Sequence, residues 1–256
     1  MTVPYQVEPE PAKPSLPGSV VVKPSPEDVI DAVAGEIVAH AIDAVRRHGD
    51  FHLALSGGST PFPLYRHLMI DPDCRAFPWS RTHIWIVDER RVPFDHEKSN
   101  WRQIDEILVQ HSGMPAEHAH PMLAMRDDAD TAYEQQLRDA LRWRDPGHDR
   151  LDYVILGMGD DGHTASLFPH SPALRDSGRW VLINSGPKVT PPDRVTMTYT
   201  LLNNAKHLAV LCVGEKKKTM IARIAAGGHA HEDLPILGIK PTSGTLRWYL
   251  DQAACP

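Results

Sequence analysis

The stretch Gly157-Met158-Gly159-Asp160-Asp161-Gly162-His163-Thr164 sets one imidazole behind flexible glycines and two carboxylates. Imidazole titrates near neutral pH, and a neighbouring carboxylate fixes its tautomer and raises its basicity. Proton transfer with His163 as base is the chemistry this pattern offers. The same stretch matches the spacing of a dinucleotide-binding fingerprint. Asp160 and Asp161 would then stand against a pyrophosphate, and the next strand ends at Asn184 rather than at an acid suited to a ribose, so nucleotide binding is set aside.

Two further loops carry chemistry. In Ser56-Gly57-Gly58-Ser59-Thr60-Pro61 the glycines allow a tight turn and close backbone approach, Ser59 or Thr60 can cap a helix, and Pro61 suits its first position. Free N–H groups, two hydroxyls and a helix dipole facing one spot make an anion site. Asp88-Glu89-Arg90-Arg91-Val92-Pro93 follows an apolar strand; its carboxylate can orient a hydroxyl or move a proton, and an arginine fork can grip phosphate. Read singly, these loops are also a capped helix start and a solvated charge run. Arg194 and Lys216-Lys217-Lys218 are the remaining basic candidates. No Gly-x-Ser-x-Gly elbow is present, which disfavours a serine nucleophile. His229-Ala230-His231 has no strong partner ligand, and no metal is expected.

The elements that position these loops follow from hydrophobic spacing. Val29, Ile30, Val33, Ile37, Val38, Ala41, Ile42 and Val45 recur at three- and four-residue steps, a one-sided helix closed by His48-Gly49. Short apolar strands are expected at 19–22, 51–55, 83–87, 151–156, 180–183, 195–199 and 207–213. Helices are expected from Pro61, over 100–109, 131–143 and 216–226, and last over 245–254. Strands alternating with helices predict an α/β three-layer sandwich with a mostly parallel, Rossmann-like sheet, whose ligands bind beyond the strands' carboxyl ends.

The 256 residues predict one α/β domain over 18–256, preceded by a flexible Pro-rich arm over 1–17. A net charge of −6 argues against nucleic acid or an anionic membrane as partner. The N-terminus lacks the layout of a signal peptide, no apolar run suits a membrane helix, and three widely spaced cysteines point to a reducing, cytoplasmic setting. A monomer without an obligate protein partner is the expectation.

Together the loops resemble the 6-phosphogluconolactonase family, which is related to the glucosamine-6-phosphate deaminases. The matching stretches are Leu53 to Pro61, Asp88-Glu89-Arg90 with Val92-Pro93 and Ser99-Asn100, Leu156 to Gly159, Asp161 to Pro169, Pro191-Pro192 with Arg194-Val195-Thr196, and Trp248 to Asp251. The resemblance implies hydrolysis of 6-phospho-D-glucono-1,5-lactone, a small phosphorylated sugar lactone of the oxidative pentose phosphate pathway, with no metal and no organic cofactor. It implies His163 as base, helped by Asp161 or Asp88. Phosphate would sit on Gly57, Gly58, Ser59 and Thr60, with charge from Arg90, Arg194 and, by spacing from Gly214, Lys217 among the three lysines. In the deaminases a glutamate stands where Phe168 stands here, and Phe cannot relay a proton. A deaminase or sugar-phosphate isomerase is therefore the second reading, and a non-catalytic sugar-phosphate sensor the third.

Overall fold

The computed structural model describes residues 13–256. Its frame is a seven-stranded sheet in which every pairing is parallel. In chain order the strands are β1 (Ser19–Lys23), β2 (Phe51–Leu55), β3 (Thr82–Ile86), β5 (Ala119–His120), β6 (Tyr153–Leu156), β9 (His207–Cys212) and β10 (Thr245–Asp251), and across the sheet they run β1-β10-β9-β6-β2-β3-β5. All residues of β2 and β6 are buried, as expected of central strands covered on both faces. A second sheet is antiparallel, with β4 (Asp88–Arg90), β8 (Asp193–Met197) and β7 (Val181–Ser185) in the order β4-β8-β7. The two sheets meet at Val87, whose N–H donates to the Leu55 carbonyl at 2.9 Å while its own carbonyl accepts the Met197 N–H at 2.9 Å.

The helices are α1 (Pro26–His48), α2 (Phe62–Ile70), α3 (Asn100–Ile104), α4 (Gln110–Ser112), α5 (Ala129–Leu141), α6 (Tyr199–Leu202) and α7 (Lys218–Ala226). A π turn at Asp105–Val109 joins α3 to α4. Helix α1 starts in a capping box made by Ser25 and Asp28, and ends at Gly49, which is left-handed. Its apolar stripe (Val29, Val33, Ile37 and Ala41 among others) is buried against the sheet. Helices flank the sheet in the three-layer α/β arrangement that the element order predicts.

Two expectations need correction. The expected last helix over 245–254 is instead β10 over Thr245–Asp251, inserted between β1 and β9, followed by a 3₁₀ turn at Gln252–Ala254. Leu246, Trp248, Tyr249 and Leu250 are all buried, so the segment is apolar on both faces, and periodicity cannot separate a short buried strand from a helix. Neither Ser59 nor Thr60 caps α2, whose N-terminus follows Pro61 without any side-chain cap. Of the expected arm, residues 1–12 lie outside the described residues. Leu16 packs against the core and the Pro17 carbonyl accepts the Trp248 indole N–H at 2.7 Å. Among the described residues no helix is long and apolar enough to cross a membrane, and Cys74, Cys212 and Cys255 are free thiols.

Across β2, β3 and β5 lies a stack of histidines. The His52 and His83 rings are 4.5 Å apart, Trp85 stacks on His120 at 3.7 Å, and the Trp85 indole N–H donates to His52 Nδ1 at 3.0 Å. Burial holds all three imidazoles below their ordinary value, to about 2 for His83 and about 3 for His120. Folded-state values lie below the unfolded one, so the fold favours the neutral rings. Their contribution to stability is complete above the unfolded value near pH 6.5 and is lost as pH falls below it. Chemical denaturation at pH 7.5 and 5.5 should show stability falling before the carboxylates titrate, by up to about 1.4 kcal/mol per pH unit for each proton taken up. His120→Gln, which cannot charge, should flatten that slope; an unchanged slope would remove the histidine stack as the cause.

Candidate active site

The strand order reverses between β2 and β6, and in such sheets the crevice at the reversal is where ligands bind. The loops after these two strands are Ser56–Pro61 and Gly157–Thr164, and they face each other across a cavity of about 450 Å³. The small sheet supplies the third wall. Gly57, Gly58, Ser59, Thr60, Asp88, Arg90, His163 and Arg194 all line this cavity, joined by Asn100, Ser166 and Phe168.

His163 is held by its neighbour two residues back. Its Nδ1 lies 2.5 Å from Asp161 Oδ1, which also accepts the His163 backbone N–H at 3.1 Å. An ionised carboxylate can only accept, so Nδ1 carries the proton, and in the neutral ring Nε2 keeps its lone pair. Burial works to raise the Asp161 carboxyl, but the hydrogen bond and charge of His163 outweigh it and hold it below the ordinary range. The ring packs directly over Gly159, where a Cβ would come within 2.2 Å of it. Phe168 also packs against it, with centroids 5.1 Å apart. Asp88 is engaged elsewhere, its Oδ2 accepting the Ser166 hydroxyl at 2.6 Å. Of the two carboxylates left open by the sequence, Asp161 is the one in contact with His163.

The cationic side is built across two strands. Arg90 and Arg194 are directly opposed in the antiparallel pairing of β4 with β8, and both face the cavity. Like charges in opposed positions repel, so the pair is at its most favourable with an anion between or above the two guanidiniums. Arg90 is tethered through its Nη1 to the Lys98 carbonyl at 2.8 Å, and Arg194 through its Nη1 to the Pro191 carbonyl. Burial holds the Arg194 guanidinium below its ordinary value, with the Asp88 charge opposing and the Arg90 charge adding to the shift. Lys217 is not part of the wall. Its Nζ pairs with Asp160 Oδ1 at 2.7 Å, outside the cavity lining.

Sequence reasoning passed over the group that holds this wall in place. Glu89, 2% exposed, accepts the N–H groups of Arg90 at 2.7 Å and Asn100 at 2.8 Å on one oxygen. Its other oxygen takes the Ser99 hydroxyl at 3.0 Å and the Trp101 N–H at 2.8 Å. It thereby caps α3 from outside, and burial pushes its pKa up even against four donors. Asn100 in turn donates to the Asp88 carbonyl at 2.9 Å and lies against Gly57, where a Cβ would sit 1.9 Å from its Oδ1. Strand alternation held the signal: on the three-residue β4, Glu89 must point away from the face that Asp88 and Arg90 share.

Among the described residues, two groups of three could supply metal ligands: Asp50 with His52 and His83, and His67 with Asp71 and Cys74. Neither shares a residue with the cavity lining.

Residues 24–248 match the family described as glucosamine-6-phosphate isomerases/6-phosphogluconolactonase. The GDH/6PGL endoplasmic bifunctional protein of Homo sapiens is 39% identical over 236 residues, which are 89% of this chain and 29% of that one. The chain thus spans under a third of the length of that relative, and 30% of the corresponding protein of Oryctolagus cuniculus. The 6-phosphogluconolactonase of Synechocystis sp. is 37% identical over 214 residues, 82% of this chain and 86% of that one. The solved 6-phosphogluconolactonase of Thermotoga maritima superposes with a TM-score of 0.77 at 27% identity, over 91% of this chain and 99% of that one. The chain belongs to the glucosamine-6-phosphate isomerase/6-phosphogluconolactonase family.

Glu89→Gln tests the wall. An amide can accept on one atom only, so two of the four donors face an N–H₂ group. Leaving buried donors unpaired should cost roughly 2–4 kcal/mol, read by chemical denaturation. A loss within about 0.5 kcal/mol, the range of an ordinary surface change, would show that Glu89 does not hold the loop.

Proposed function

From this family membership and the cavity's chemistry, we infer that the chain hydrolyses 6-phospho-D-glucono-1,5-lactone to 6-phospho-D-gluconate. The observation that carries the reading is the opposed Arg90–Arg194 pair beside the uncapped start of α2, a doubly cationic wall that fits a phosphate dianion. The phosphate sits on the backbone of Gly57 and Gly58, the hydroxyls of Ser59 and Thr60, and the two guanidiniums. That anchor sets the lactone carbonyl near His163.

His163 Nε2 then takes a proton from water as the water oxygen attacks carbon 1. Asp161 stabilises the imidazolium that forms and keeps the ring in the required tautomer. As the tetrahedral intermediate collapses, the ring C–O bond breaks and the imidazolium returns its proton to the departing ring oxygen. Asp88, held by Ser166 on the cavity wall, orients the sugar hydroxyls in this reading. No organic cofactor enters this scheme. A deaminase is the weaker reading, because the group packed on His163 is the phenyl ring of Phe168, which can neither carry a proton nor orient an imidazole by hydrogen bonding. Three free thiols fit a reducing, cytoplasmic setting, and a small phosphorylated lactone is the only partner the reading requires.

The decisive assay generates the lactone in situ from glucose 6-phosphate with its dehydrogenase and compares hydrolysis with the spontaneous rate. The parent chain should accelerate it, and His163→Ala should lose about 10²–10⁴-fold. Acceleration that survives in the variant would move the base elsewhere, and none in the parent would discard the lactonase. Binding of 6-phosphogluconate separates the cations. Arg194→Gln should weaken it by roughly 10- to 100-fold, the scale of a charge-assisted hydrogen bond. Lys217→Ala, whose ammonium is held on Asp160, should change it by less than about fivefold. The reverse ranking would place the phosphate against Lys217.

A further inference from the structure

At the far end of α2 from the anion loop, about 13 Å along the helix, three potential ligands of borderline softness come together, with Asp31 beside the first of them. His67 stands in the last turn of α2, Asp71 ends that helix, Cys74 closes the short 3₁₀ turn that follows, and Asp31 faces them from α1. The donor atoms of His67, Asp71 and Cys74 all lie within 4.8 Å of one another. His67 Nε2 is 3.5 Å from Asp31 Oδ1 and 3.7 Å from Asp71 Oδ2. Tetrahedral zinc with bonds of about 2.0–2.3 Å holds its ligand atoms at about 3.3–3.7 Å from each other, and the two separations at His67 Nε2 fall in that range, longer than direct hydrogen bonds.

The supporting contacts agree. Asp71 uses Oδ1 to accept the Asp73 N–H at 2.8 Å, which fixes the carboxylate and leaves Oδ2 for the cluster. Burial, and then the charges of Asp71, Asp73 and Asp31, push the Cys74 thiol up, so all three carboxylates are felt at the sulfur. A cation replaces that mutual repulsion with attraction, and a helix carboxyl end favours positive charge. The other three-residue group is less suited. Trp85 donates to His52 Nδ1, so neutral His52 carries its proton on Nε2 and spends it on Asp50, leaving no lone pair for a metal.

We propose that His67, Asp71, Cys74 and Asp31 form a zinc site that staples α1 to α2 and to the turn beyond it. Zinc takes Nε2, one oxygen from each carboxylate and the thiolate sulfur, and the thiol proton leaves to solvent. The sequence does not reveal the set, because Asp31 lies on a different helix from the other three. The site is separate from the catalytic cavity and independent of the lactonase reading.

The test titrates the purified full chain with Zn²⁺ by calorimetry and with Co²⁺ by absorption. One metal per chain should bind, and Co²⁺ should give a thiolate-to-metal charge-transfer band in the near ultraviolet. Cys74→Ser should abolish that band. Asp31→Asn, a change at an exposed side chain, should weaken Zn²⁺ by at least about tenfold, and His83→Gln should alter neither. Zn²⁺ at about a hundredfold over its Kd should raise the thermal midpoint by on the order of 5 °C. A folded parent with no thiolate band overturns the proposal, as does a single site that survives Cys74→Ser and Asp31→Asn but is lost in His83→Gln.

Discussion

A carboxylate as buried as that of Glu89 is tolerable in a fold only when its lone pairs meet donors, and here four converge on it. The shape of the cavity follows from that requirement. Because Glu89 must receive the N–H groups of Asn100 and Trp101, α3 has to begin there. Because α3 begins there, the Asn100 amide reaches back to the Asp88 carbonyl and rests on the anion loop. Gly57 is then required by contact rather than by conformation, since no Cβ fits beneath that amide. One internal charge thus ties the small sheet to the loop after β2, although it does not itself line the cavity.

The cavity also depends on the chain changing sheets at Val87. Up to that residue the backbone belongs to the parallel sheet, and after it to the antiparallel one. The turnover brings Asp88 and Arg90 across from the loops after β2 and β6 and pairs Arg90 with Arg194. Opposed cations and the left-handed backbone of Ala165 on the cavity wall (φ 50°) are each unfavourable in isolation. Both sit on the wall of the candidate site, a common location for local cost in a stable fold.

The loops were readable from sequence because their chemistry is local. Glycine pairs, a helix start and a histidine two residues after an aspartate all lie within eight residues, and the reversal between β2 and β6 brings two such loops face to face. What could not be read depends on distant partners. Choosing between Asp161 and Asp88 required knowing that Ser166 occupies Asp88. By spacing from Gly214, Lys217 reads as a phosphate ligand, whereas in the fold its ammonium pairs with Asp160 on another loop. Glu89 reads as part of a solvated charge run because its four donors come largely from residues ten to twelve positions later. The strand at 245–251 reads as a helix for a related reason: its two neighbours, at 19–23 and 207–212, are what make both its faces interior.

That last strand imposes an order on how the molecule is made. During synthesis the segment at 19–23 emerges well before β10, its only strand neighbour among the described residues, more than two hundred positions later. Until β10 slides in beside β9, the first strand has nothing to pair with, and α1 has one side of its bed missing. Closure of the sheet is therefore a late, long-range event whose loop-closure entropy falls due before the pairing rewards it. A nascent chain waiting for it shows the open edge of β9, the kind of surface that invites mispairing with other chains.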